Sequence, residues 1–242
     1  MKFQVSLFGD FSLLTPTEDN IKKCIEGFFA SGLLPGNLQE FDPQSNKMEA
    51  RLSLQSMRNG ITVNVLRNRI DFLATPLPGS PAASLKLENF FQEVIKFSDL
   101  LKNTFDVSFK RPGVIVEKFL KELSEERLDE IRRTFIQDSF SVIPDANVAE
   151  WNIRNVSSCQ FAEPVNQEAN VIYSIAKVKV QMGDATGHRE FDTLHLSVDI
   201  NIPTEKRNAN LSREYLESFL AKAQEMHSIV YKGLTAVIYG AN

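Results

Sequence analysis

Apolar positions along this chain recur at two periods. Phe3, Val5 and Leu7 alternate with polar neighbours, so a strand is expected over about Lys2 to Leu14. Thr15-Pro16-Thr17-Glu18 then reads as a helix start, with Thr15 as cap, Pro16 at the first helical position and Glu18 closing a capping box. Ile21, Cys24, Ile25 and Phe28 follow at helical spacing, and Gly32 suits the helix end. From Gly32 to Lys47 the pattern predicts a long connection containing Pro35, Gly36 and Pro43.

Three short strands are expected next, at about Glu49–Ser56, Ile61–Leu66 and Arg69–Ala74, with Asn59-Gly60 as the hairpin turn between the first two. A loop with Pro76, Pro78, Gly79 and Pro81 precedes a long helix, Ser84–Thr104, whose apolar stripe is Leu87, Phe90, Phe91, Val94, Leu101 and Phe105. The order then recurs. A strand near Val114–Phe119 leads to a helix, Ser124–Asp138, acidic at its start and basic towards its end. Strands near Val148–Phe161, Val171–Gln181 and Glu190–Ile202 follow, joined by a turn-like loop at Met182–His188, and a last helix covers Ser212–Leu234.

Residue identities echo that order. Leu87-Glu88-Asn89-Phe90-Phe91 is answered by Leu216-Glu217-Ser218-Phe219-Leu220, and Ile70-Asp71-Phe72 by Val198-Asp199-Ile200. The two nearly equal offsets predict an internal duplication. The expected fold class is α+β, with two tandem β-α-β-β-β-α units, residues 1–106 and 107–242. Each is an antiparallel sheet covered by a long helix, and the two share a core.

Composition narrows the picture further. The 242 residues are 43% hydrophobic and 24% charged, as in ordinary water-soluble domains. A formal net charge of −4 argues against non-specific nucleic-acid binding, which needs a positive field. Met1-Lys2-Phe3-Gln4-Val5 lacks a signal peptide's apolar run, and no apolar run reaches the roughly 18 residues of a membrane span. Two cysteines, Cys24 and Cys159, make no disulfide framework, so a cytoplasmic location is expected.

Several stretches resemble a sporadically distributed bacterial family of about this length that carries only a placeholder name. They are Arg51-Leu52-Ser53-Leu54-Gln55-Ser56, Asn59-Gly60-Ile61, Arg69-Ile70-Asp71-Phe72 and Phe219…Ala223…His227-Ser228-Ile229. The resemblance implies no known activity and no catalytic residues. A scattered distribution is common among mobile and defence-associated genes, which places such a chain in a bacterial assembly by association.

No catalytic, metal or nucleotide motif stands out. Leu194, Leu196, Val198 and Ile200 are expected to face a helix, which sends His195, Ser197 and Asp199 to the other sheet face. A nucleophilic triad there fails on geometry, because same-face neighbours on one strand lie roughly 7 Å apart. Arg51, Arg58, Arg67 and Arg69, with no acidic residue between them in sequence, form the one basic cluster that could contact an anion or nucleic acid. Three scattered histidines, including His188 and His227, supply no metal site, and no cofactor is expected.

One strand points outward. Alternation puts Ser174, Ala176 and Val178 on one face, read as packed on a helix, and Val171, Tyr173 and Ile175 on the other. An apolar second face needs cover. The expectation is therefore a non-enzymatic interaction subunit, a homodimer or a component of a larger assembly, with Val171, Tyr173 and Ile175 at the interface. The alternative is a small-ligand binder with its pocket between a long helix and its sheet.

Overall fold

The alternation at Phe3, Val5 and Leu7 builds β1 (Lys2–Phe8), shorter than expected because Gly9-Asp10 turns the chain away. The computed structural model describes residues 1–43, 45–77, 79–137, 148–184, 187–206 and 210–240. After β1 come α1 (Glu18–Phe28), β2 (Leu33–Asp42), β3 (Lys47–Ser56), β4 (Thr62–Val65), β5 (Arg69–Ala74) and α2 (Leu87–Phe105). Then follow β6 (Arg111–Phe119), α3 (Glu125–Phe135), β7 (Asn152–Phe161), β8 (Gln167–Asp184), β9 (Gly187–Asn201) and α4 (Arg213–Tyr239). The side chains of Thr17, Ser124 and Ser212 each accept the N–H three residues on, capping α1, α3 and α4. Thr17, not Thr15, is thus the cap of α1. The helix end expected at Asp138 lies outside the described residues. The expected loop at Met182–His188 is mostly strand, with residues 185–186 outside the description.

The nine strands among the described residues form one antiparallel sheet, in the order β2-β3-β4-β5-β1-β6-β9-β8-β7. This overturns the expectation of two tandem β-α-β-β-β-α units, each with its own helix-covered sheet. The first half holds five strands, because Leu33–Asp42 pairs with β3 along its whole length instead of looping. Pro35 and Gly36 suggested a connection, but β2 is an edge strand, where a missing N–H and a weak strand former are tolerated. The sheet also continues without a break from one half into the other. β1 and β6 pair across its middle, with Phe3 opposite Val116 and Val5 opposite Val114.

The helices lie on one face. Phe3, Val5 and Leu7 of β1, Phe72 of β5 and Ile200 of β9 share a core with Phe90, Phe97 and Leu101 of α2 and Phe219 of α4. Cys24 and Phe28 bring α1 into it. Leu128 and Ile131 of α3 join Ile175, Leu194, Leu196 and the α4 residues Leu234 and Ile238 in a second cluster. α4 therefore bridges both. On α1 the inward stripe is narrower than the periodicity suggested: Cys24 and Phe28 are buried, whereas Ile21 and Ile25 are exposed beside Phe29.

Candidate interaction surface

Every described helix lies on one side, and no described helix covers the other side of the sheet, its open face, although Ser6, Arg51 and Asp71 are buried within it. Its residues are fixed by register. Across the ladders, Gly36, Ser53, Asn64, Asp71, Ser6, Gly113, Asn201, Asn170 and Ser158 stand directly opposite one another, one per strand. This is a row of small, mostly polar residues running across the whole sheet. Its members bond along the row: Ser53 Oγ to Asn64 Oδ1 at 3.0 Å, Ser6 Oγ to Asp71 Oδ1 at 2.6 Å, Asn170 Nδ2 to Asn201 Oδ1 at 3.4 Å. At Gly113 a Cβ would sit 3.4 Å from the Asn201 Cβ, in ordinary contact.

The adjacent row is more apolar, with Leu73, Gln4, Ile115, Asp199, Ile172 and Val156 in line from β5 to β7. Val156 is 52% exposed and Phe119, two rows on, 53%. Phe119 lies against His195, ring centroids 4.8 Å apart. On the far side of the polar row, the Arg111 guanidinium lies 3.6 Å from the centroid of the Phe8 ring and donates through Nη1 to the Ile202 carbonyl at 2.9 Å. Asp199 sits half-buried in this surface. Desolvation raises its pKa above the usual carboxylate range, against the pull of an Asn201 Nδ2 hydrogen bond at 2.9 Å and of Arg154 and Arg111.

His195, Ser197 and Asp199 do line this open face, spaced along one strand. Each faces a different cross-strand neighbour: Phe119, Glu117 and Ile115 respectively. They do not converge.

Val171, Tyr173 and Ile175 lie on the other side. They stand opposite Ile200, Val198 and Leu196, which face the helices. Val171 is 4% and Ile175 2% exposed, and Tyr173 is half-buried between the two apolar clusters. The alternation holds, but the two faces are the reverse of those expected, since Ser174, Ala176 and Val178 are the open ones. Small residues on a strand do not by themselves say which face a helix covers.

The four arginines do not form a free basic patch. Arg51 is buried; its Nε donates to Glu40 at 2.8 Å, Nη2 to Glu49 at 2.7 Å and Nη1 to the Ser12 carbonyl at 3.1 Å. Arg69 Nε donates to Asp71 at 2.9 Å, and Arg67 lies 3.4 Å from Asp42. Arg58 stands exposed on the turn after β3, packed over Gly32, whose left-handed φ of 75° suits a residue with no Cβ. Two of the carboxylates, Glu40 and Asp42, come from the strand that the sequence pattern missed.

Where a ligand pocket is the alternative expectation, between the long helices and the sheet, the buried apolar side chains of the two clusters pack against one another. A depression of about 640 Å³ between α3 and β8 is lined by charges of both signs, and Lys177 Nζ donates to Glu125 across it at 2.8 Å. Among the described residues no three His, Cys, Asp or Glu side chains gather as a metal site requires. No described helix is long and apolar enough to cross a membrane.

Compared with protein-family models, with curated proteins and with solved structures, the chain finds no match in any of the three.

Proposed function

We propose that this chain is a non-enzymatic interaction subunit of the bacterial cytoplasm, which binds a protein partner across the open face of its sheet. The observation that carries this reading is the mixed surface on that face. An antiparallel sheet with one solvated face ordinarily shows polar residues there. Here Ile115, Ile172, Val156, Phe119 and Phe8 share the face with a row of hydrogen-bonded small polar side chains. Apolar centres with polar surroundings are the usual make-up of a protein interface. The half-buried Asp199 adds to it, because a carboxylate raised by desolvation is a stability cost that a partner's donor would offset. Two free cysteines suit a reducing compartment, and the family resemblance suggests a place in a mobile or defence-associated assembly.

The test is cross-linked purification from the native host with the wild type, with Phe119→Asp and with a helix-side control, Lys222→Asp. Phe119 is exposed, so a charge there should leave the fold intact. The partner should be lost from Phe119→Asp and kept by Lys222→Asp. A partner equally abundant on all three would show that the open face is not the binding surface.

A further inference from the structure

The sheet has two outer strands, and they are built differently. β2, Leu33–Asp42, carries Pro35, Gly36, Glu40 and Asp42, and prolines, glycines and charges are what blunt an edge against pairing. β7, Asn152–Phe161, has no proline, no glycine, no acid and a single charge at Arg154. Its central residues Arg154, Asn155, Val156, Ser157 and Ser158 are all exposed. Among the described residues nothing pairs with its outer side.

Which backbone groups face outward follows from one bond. Lys177 N–H donates to the Trp151 carbonyl at 3.0 Å, so position 151 bonds inward to β8. In an antiparallel ladder the residues alternate, and Asn152, Arg154, Val156, Ser158 and Gln160 turn their N–H and C=O groups outward. A second copy of the same strand, antiparallel about a two-fold axis at Val156, meets this edge with its own outward groups. Val156 then faces Val156, Arg154 faces Ser158, and Asn152 faces Gln160. This register satisfies every outward group of the strand. A shift by two positions leaves a terminal residue unpaired, and a shift that centres Arg154 sets like charges opposite each other.

The side chains agree with it. On the helix side Asn155 meets the second copy's Ser157, and these two already bond within one chain at 3.0 Å. On the open side Arg154 reaches Ser158, which is itself bonded to Glu168, so one chain's cation approaches the other's anion. We propose that β7 is a dimerisation edge, pairing with β7 of a second copy of this chain to extend the two sheets into one. This goes beyond the reading of the open face and does not depend on it.

Val156→Lys places two ammonium groups against each other on the axis, at a position exposed in the single chain. Light scattering should give twice the 27.3 kDa chain mass for the wild type and the single mass for Val156→Lys, with the melting temperature of the diluted wild-type monomer unchanged. Register is read by cross-linking in a Cys159→Ser background. Val156→Cys should form a disulfide-linked dimer under mild oxidation, since paired Cα atoms there lie within disulfide reach, roughly 5.5 Å. Gln160→Cys, far from its own copy in this register, should not. A wild type that stays monomeric at tens of micromolar, or a dimer that survives Val156→Lys, would overturn the proposal. So would a dimer cross-linked through position 160. Phe119→Asp should leave the dimer intact, which separates failure of this edge from failure of the open face.

Discussion

Arg51 carries a positive charge to a position where 2% of its side chain meets solvent. It is tolerable because all three donor directions are met, by Glu40, Glu49 and the Ser12 carbonyl. Truncation would strand two carboxylates that still reach some water. Arg51→Ala should therefore cost about 3 kcal/mol in denaturant unfolding, at the low end for breaking a buried pair. Arg51→Met with Glu40→Gln and Glu49→Gln should recover part of that loss. His227 acts through pH. Burial, and then the nearby Lys118, hold its pKa below the ordinary value, and its ring stacks on Tyr231 at 5.9 Å. An unfolded histidine binds its proton at higher pH than this folded one. Stability from His227 is thus full above roughly pH 6.5 and is lost as pH falls through the lower folded value. A melting-temperature profile of His227→Gln should fall less steeply than the wild type's over that range.

Element by element, periodicity located helices well and faces poorly. Phe90, Val94 and Leu101 of α2 all face the core as the spacing predicts. On α1 four apolar residues matched the helical period, yet only Cys24 and Phe28 are buried. A peripheral helix needs a narrow inward stripe, and spacing cannot tell that stripe from an apolar flank. Phe28→Ala should cost about 3–5 kcal/mol, whereas Ile25→Lys should stay within about 0.5 kcal/mol. Either result reversed in chemical denaturation would mean that α1 packs by its other side. β2 was hidden for a similar reason: burial touches few of its residues, and its outer edge tolerates the Pro35 that reads as a break. The polar row on the open face was in the sequence only as scattered Ser, Asn and Gly. Register aligns them, and register is set by long-range pairing that no local pattern encodes.

At the scale of the molecule, the two expected units are joined more closely than a tandem arrangement implies. One apolar cluster includes Phe3, Phe72 and Phe90 from the first half and Val116, Val198 and Phe219 from the second. Expressing residues 1–106 alone would leave β1 as an edge strand, paired with β5 but not with β6, and strip part of that cluster. Such a fragment should aggregate, and co-expression with residues 107–242 should restore soluble material. An intact, monomeric, cooperatively melting 1–106 fragment would show instead that each half has a sufficient core. Nucleic acid is expected to stay unbound at physiological salt in a mobility-shift assay, because Arg51, Arg67 and Arg69 are already engaged by carboxylates.

The placement of β1 and β6 side by side also sets an order of events during synthesis. β1 leaves the ribosome before either of its neighbours: Phe3 pairs with Ala74 on one side and Val116 on the other. β6 in turn waits for β9, with Val116 opposite Val198. The centre of the sheet is thus begun early and closed late, whereas the β2-β3 hairpin can zip as it emerges. Such distant pairings slow folding, because chain entropy is lost before the contacts that offset it form. For much of its translation the nascent chain holds an apolar strand, Phe3-Gln4-Val5-Ser6-Leu7, with no partner yet made, and that interval is when a holding chaperone would matter most.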